Sequence, residues 1–400
     1  MVNLDYASHT PICEQVLAEI CRVEREFPGN VMSAHGLGRA AKAEMERVTA
    51  DIAELIGAKP QEIIFTSGAS EANNLAIKGI AKAYGHIGKH ILSTCLEHPS
   101  VSGTLAALQP LGYEIELLKI LPNGQVDLTH LRSALRRDTV LVCVSAVDSE
   151  LGVIQPLSEI AEIVAMQPNC HLHVDAAQAM GKVPTTVHGS TFCFSPHKFH
   201  GPCGVGVLVK REGVVLEPLI HGGASTTIYR SGTPAPALAA GAYKALQIAT
   251  EEMKERLAYV SNLREHVVEY MKRFPNVQIN NAENGRVQDP PLRNMSHMTY
   301  VGAGLVPARN LSSPYILNIS TPGIKGIAFQ SALDNHGICV SVKSACSTDN
   351  APSRPVMAVT GCKKAAMSSW RISFSHLTTM QEIDTFLATF SQIHKEILIQ

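Results

Sequence analysis

Between Gln61 and Lys210 the chain alternates short apolar runs with stretches whose apolar residues recur at helical spacing. "EIIFTSG" is a β-branched and aromatic run, and "SEANNLAIKGIAKAYG" follows with helical periodicity and Ser70 placed to cap it. Strand-like "HILSTCLEH" and "YEIELLKI", helical "LTHLRSALRR", strand-like "TVLVCVSAV" and helical "LSEIAEIVAM" come next, then "HLHVDAAQA", "TFCFS" and "GVGVLVK". Strands alternating with helices predict a mostly parallel sheet covered on both faces, an α/β domain. After Thr233-Pro234 the pattern changes. Residues 236–274 read as one long helix with no proline after Pro236. Looser alternation follows through "YILNIS", "GIAFQSALDNHG", "ICVSVKS" and "SWRISFS", which suggests a smaller α+β domain. The expected division is a large domain over 15–255 and a small one built from 1–14 and 256–400.

Composition narrows the function classes. With 400 residues and 45% hydrophobic content the chain can bury a large core in two lobes. A net charge of -1 gives no support for nucleic acid or an anionic membrane surface as a partner. The start "MVNLDYASHTPICEQ" lacks the pattern of a signal peptide, and no apolar run approaches the roughly 18 residues of a membrane helix. Ten cysteines without CxxC pairs fit reduced thiols and a cytoplasmic location. The pairs His171/His173 and His197/His200 lack companion ligands at zinc-like spacing, so no metal site is expected.

Ligands of open α/β sheets gather beyond the C-terminal ends of the strands. Here those ends present Ser67-Gly68-Ala69-Ser70, then Glu97-His98, then Asp148-Ser149-Glu150, then Asp175 with Gln178, then Ser195, His197 and Lys198. Taken singly, each has a bland reading. Ser70 and Asp175 could be helix caps, His98 a satisfied strand-end histidine, and Lys198 a solvated turn lysine. Together they offer a phosphate seat at a helix N-terminus, a carboxylate and an amine. Pyridoxal phosphate needs all three, since it pairs a lysine Schiff base with an acidic partner for its ring nitrogen. His98 could then stack on the ring, with Ser195 and His197 at the phosphate.

The ordered motifs "LDYAS", "GNVMSAHGLG", "EIIFTSGASEANNLAIKG", "EHPSV", "ELGVIQP", "HVDAAQ", "SPHKFHGPCGVG", "HGG", "RSGT", "ILNIS", "SACS" and "RIS" make the chain similar to the cysteine desulfurases of the NifS/IscS type, in the class V aminotransferase group. The resemblance implies a fold-type I homodimer acting on L-cysteine with pyridoxal phosphate as cofactor. By position, Lys198 would hold the cofactor, Asp175 would accept from its ring N–H, and Gln178 would contact its ring hydroxyl. His98 would stack on the ring and take part in proton transfer. Ala69, Ser70, Ser195 and His197 would bind the phosphate, and Thr233 would reach the phosphate of the other subunit. Arg371 would grip the substrate carboxylate, a task that suits its planar fork. Cys346 would take the sulfur as a persulfide, leaving alanine, for a sulfur-acceptor protein serving iron–sulfur clusters, thiolated tRNA or a thio-cofactor.

Some positions depart from the family pattern. Asp148-Ser149 stand where two asparagines are usual, and the first of those lies beside cofactor and substrate. An ionised Asp148 there would oppose the substrate carboxylate by about 4 kcal/mol at ~4 Å and an effective dielectric of ~20. Ala7-Ser8-His9, Cys203 and Ser375-His376 are further changes. They keep open a related lyase or aminotransferase acting on another amino acid such as selenocysteine, or a catalytically weak binding or scaffold paralogue.

Overall fold

The computed structural model describes residues 1–223, 225–280, 311–342 and 351–399. Among these, a seven-stranded sheet runs in the order Ile63–Thr66, Gly206–Lys210, Thr191–Phe194, His171–Asp175, Thr139–Ser145, His90–Ser93, Glu114–Leu117. The five strands from Thr191–Phe194 to Glu114–Leu117 are mutually parallel. Gly206–Lys210 runs antiparallel to both its neighbours. It follows Thr191–Phe194 through a turn with no crossover helix, and so short a link returns the chain antiparallel.

Side chains alternate across the sheet and sort into two cores. Ile64, Ile91, Leu141, Cys143, Cys193 and Leu208 pack under the helices Ala69–Tyr84 and Pro99–Leu108. Their neighbours Ile63, Leu92, Val142, Phe192 and Val207 face the opposite way, toward Glu14–Glu26, Gly36–Leu55, Leu157–Val164 and Pro236–Glu251. The strand Thr139–Ser145 is buried along its whole length, as a central parallel strand covered on both faces should be.

The long helix expected over 236–274 is two helices, Pro236–Glu251 and Met253–Met271. Two forces part them. Thr250 Oγ1 donates back to Leu246 O at 2.8 Å, a bond that bends helices. The two apolar stripes also serve different cores. Ala240, Leu246 and Ala249 join the main core, whereas Val260, Leu263, Val267 and Met271 join a second one.

That second core surrounds a three-stranded antiparallel sheet of Gln278–Ile279, Ile316–Ser320 and Ser369–Ser373. Trp370, Phe329, Phe386 and Phe390 fill it, with Phe329 stacked on Trp370 at 5.7 Å. In "ICVSVKS" the short strand Ile338–Cys339 pairs with Val2–Asn3, and Ser341 bridges to Arg371. Asp5 bridges to Ser373. The first residues of the chain are thereby laid along the second core and delivered to the ends of the main sheet.

Candidate active site

A cavity of about 380 Å³ opens at the C-terminal ends of the parallel strands. Ala69, Ser70, His98, Asp175, Gln178, Ser195, His197, Lys198 and Arg371 all line it. The fold brings these expected site residues together.

One end is a cradle at the N-terminus of Ala69–Tyr84, where the first N–H groups of the helix have no intrahelical acceptor. Gly68 there has φ 159°. The neighbouring strand passes so close that a Cβ on Gly206 would sit 2.5 Å from the Gly68 carbonyl carbon, so glycine is required for the approach. Ser195 Oγ donates to Val205 O at 3.2 Å and lies 3.1 Å from His197 Nδ1. Burial, with Lys198 and His9 nearby, pushes His197 down to about 4. Glu71 closes the rim. Burial works to raise its carboxyl, but Arg230 and Ser67 hold it below its ordinary value, with Ser67 N donating at 2.7 Å and Arg230 Nε at 3.0 Å.

The middle of the cavity is built on buried hydrogen bonds. Asp175 Oδ1 accepts from Ala177 N at 2.9 Å, and its Oδ2 accepts from Asn73 Nδ2 at 2.8 Å. Asn73 is fully buried, and its Oδ1 lies 2.8 Å from His173 Nε2 and accepts from Cys193 Sγ at 2.9 Å. Asp175 is thus held on a continuous polar network buried between the sheet and the helix Ala69–Tyr84. His98 Nδ1 accepts from Ser100 N at 3.1 Å. Burial, aided by Lys198 and opposed by Asp175, lowers the His98 pKa, which favours the neutral ring. Lys198 ends a short turn, and its Nζ donates to Ala7 O at 2.9 Å and Ser8 O at 2.7 Å. The chain leaves through His200, a non-glycine residue at φ 67°. Such strain persists only where surroundings over-determine it. Here His200 N donates to Thr10 Oγ1 at 2.7 Å, and the ring nitrogens lie 3.0 Å from Pro11 O and 3.1 Å from Ser375 Oγ.

The other end centres on Arg371, which is 2% exposed. It donates to Asp5 Oδ1 at 2.7 Å, Ser8 Oγ at 2.9 Å and Ser149 O at 2.7 Å. Its Nε is buried with no hydrogen-bond partner. The guanidinium lines the cavity, and a planar cation there suits an incoming carboxylate.

Asp148 is placed differently from the expectation. It does not line the cavity, whereas Val147 and Ser149 do. Its carboxylate turns into its own loop and accepts from the N–H groups of Glu150, Leu151 and Gly152, the last at 3.1 Å. Burial, and then Glu150 beside it, raise it to about 7. Its carboxylate is therefore bonded to its own loop and not presented to the cavity. Thr233 lines a neighbouring cleft with Thr66, Ser67 and Arg230, not the cavity that holds Lys198. Cys203 stands on the cavity rim and is exposed. Cys346 lies outside the described residues. Among those residues, one grouping of metal-ligand types occurs, His90 with Glu114 and Glu116, at the far strands of the sheet.

The donor set fits pyridoxal phosphate. There are helix N–H groups for the phosphate, a fixed carboxylate for the ring nitrogen and an amine for the aldehyde. Sequence reasoning missed Asp5, Asn73, Ser100 and Lys182. "LDYAS" carried a signal for Asp5 by its acid, and "EANNLA" carried one for Asn73, since a buried asparagine on an apolar helix face must find partners.

A family model described as "Aminotransferase class-V" matches residues 2–297. A "NifS/IcsS protein homolog" of Lactobacillus delbrueckii subsp. bulgaricus is 34% identical over 99% of this chain and 97% of its own length. A "Cysteine desulfurase IscS" of Dictyoglomus turgidum is 33% identical over 99% and 95%. A solved "NIFS-LIKE PROTEIN" superposes with a TM-score of 0.86 at 31% identity, covering 100% of both chains.

Proposed function

The chain belongs to the pyridoxal-phosphate-dependent aminotransferase class-V family, in its NifS/IscS-type cysteine desulfurase branch, and we propose that it takes sulfur from L-cysteine, holds it as a persulfide on Cys346 and releases L-alanine. The observation that carries the site assignment is the meeting of Lys198, Asp175 and Arg371 in one cavity.

The cofactor, when bound, supplies the electron sink. Lys198 anchors it, and the cradle of Ala69 and Ser70 with Ser195 and His197 seats its phosphate. Asp175, immobilised by Asn73 and Ala177, keeps the ring nitrogen protonated. Gln178 contacts the ring oxygen. Arg371 orients the substrate by its carboxylate, for which Asp5 and Ser149 hold the guanidinium in place. His98 is neutral and committed at Nδ1, so its Nε2 is the atom available to move a proton. The Cys346 thiolate then bonds to the substrate sulfur as the Cβ–S bond breaks. The bond pair leaves with carbon, and a proton completes alanine.

We further assign residues 15–255 to the cofactor-binding unit, and 1–14 with 256–400 to the unit that carries Cys346. The working form is a homodimer in the cytoplasm that hands sulfur to an acceptor protein, with Thr233 serving the opposite subunit's phosphate. Among the described residues no helix is long and apolar enough to cross a membrane. The test is release of alanine and sulfide from L-cysteine by the cofactor-loaded protein with a reductant. Equal amounts of both, lost in Cys346→Ala, are expected. No turnover on L-cysteine despite a cofactor absorption band would overturn the substrate assignment.

A further inference from the structure

Lys182 lies four residues beyond Gln178 in the turns that follow His171–Asp175 and is 6% exposed. Burying an amine is costly unless its donors are used. Its Nζ donates to Gln178 Oε1 at 2.8 Å, and the Tyr315 ring centroid lies 6.0 Å away. Beside it is a small space of about 20 Å³, which it shares with Lys198, Arg256, His200 and His376, enough for a water. Burial, with Lys198 and Arg371 as neighbours, brings its pKa well below the ordinary lysine value.

Gln178 joins this lysine to the cavity. Its Nε2 donates to Ala7 O at 2.9 Å, the same carbonyl that accepts from Lys198 Nζ. An amide can exchange its oxygen and nitrogen by flipping, and each orientation offers a ligand the opposite polarity. Here the flipped form would set the Gln178 oxygen against Ala7 O and remove the acceptor facing Lys182. Ala7 O and Lys182 Nζ together select one orientation.

We propose that Lys182 is a positioning residue for the cofactor: by holding the Gln178 amide oxygen in the protein wall, it makes Gln178 meet the cofactor's ring oxygen as an N–H donor. This rests on the reading of Gln178 as the ring-oxygen contact. A donor there draws charge off the ring oxygen and so weakens that oxygen's hold on the proton of the adjacent Schiff-base nitrogen. The pH midpoint of the visible absorption band of lysine-bound cofactor reads this without turnover.

In the holoenzyme, Gln178→Ala is expected to raise that midpoint by about one unit. Lys182→Met is expected to raise it comparably when Gln178 is present, and by less than ~0.2 unit in the Gln178→Ala background. A shift with Gln178→Ala but none with Lys182→Met overturns the inference and leaves the reading of Gln178 standing. No shift with Gln178→Ala overturns both. Equal Lys182→Met shifts in the two backgrounds mean that the amine acts on the cofactor directly, which also overturns the positioning role. If Lys182→Met does not fold, Lys182→Arg carries the test. It keeps an N–H donor, so its midpoint stays at the wild-type value, and a rise matching Gln178→Ala overturns the inference.

Discussion

Two acidic strand ends lie side by side in the main sheet and do different work. Thr139–Ser145 and His171–Asp175 are parallel neighbours with Ser145 opposite Asp175, and Asp148 follows three residues after Ser145. Both aspartates are buried, at 1% and 6% exposure. Asp175 is held by one amide from Asn73 and one backbone N–H, and still lines the cavity. Asp148 is surrounded by three N–H groups of its own turn and does not line that cavity. A carboxylate is used up by whichever donors reach it first. At Asp175 the local donor is single, and the second comes from Asn73 on the helix that covers the sheet. At Asp148 the glycine turn after it supplies them all.

The contrast can be broken most strongly at Asp175. Asp175→Asn should lower alanine release by roughly 10²- to 10³-fold while leaving the cofactor absorption band, because it removes a fixed charge and not a binding pocket. A rate within threefold of wild type would deny Asp175 its place at the ring nitrogen. Next is its support. Asn73→Ala leaves Asp175, His173 and Cys193 each short of a buried partner. It should cost about 1–3 kcal/mol in urea unfolding of the cofactor-free protein. An unchanged midpoint would show that the network is not stabilising.

The smallest effect is expected at Asp148, and its sign depends on pH. The folded carboxyl sits at about 7 against an ordinary 3.8, so the folded state favours the proton. Its stabilising contribution is complete below pH ~4 and is lost as the pH rises through about 7. Asp148→Asn removes that loss. The variant should nearly equal wild type near pH 4 and exceed it in stability by a margin that grows steadily toward pH 8, with alanine release within about threefold. Thermal melting across that range checks the trend. A constant difference at all pH values would show that Asp148 does not titrate in the folded protein.

Much of this arrangement was legible in the chain. Seven runs rich in β-branched and other apolar residues fell on seven strands, since such residues suit a pleated, half-buried surface. The residues at their ends named the cofactor chemistry, because strand ends are where an α/β sheet leaves polar groups open to a ligand. Other features depended on contacts remote in sequence. Asp5 meets Arg371 across 366 residues, Asn73 meets Asp175 across 102, and Ala7 meets Lys198 across 191. No local pattern announces such pairs. The helix break near Glu252 also escaped periodicity, since a stripe of apolar residues does not say which of two cores it will face.

The sequence by itself determined the layers of the sheet and the candidate groups at the strand ends, since these follow from periodicity and from what a residue type can do chemically, and the order of its motifs pointed to the family. Tertiary structure decided which acid faces the cavity, what holds Arg371 and Lys198 in place and which way the Gln178 amide is turned. Hydrogen-bond donors are shared out in space, and the nearest unsatisfied partner in the folded protein is seldom the nearest along the chain.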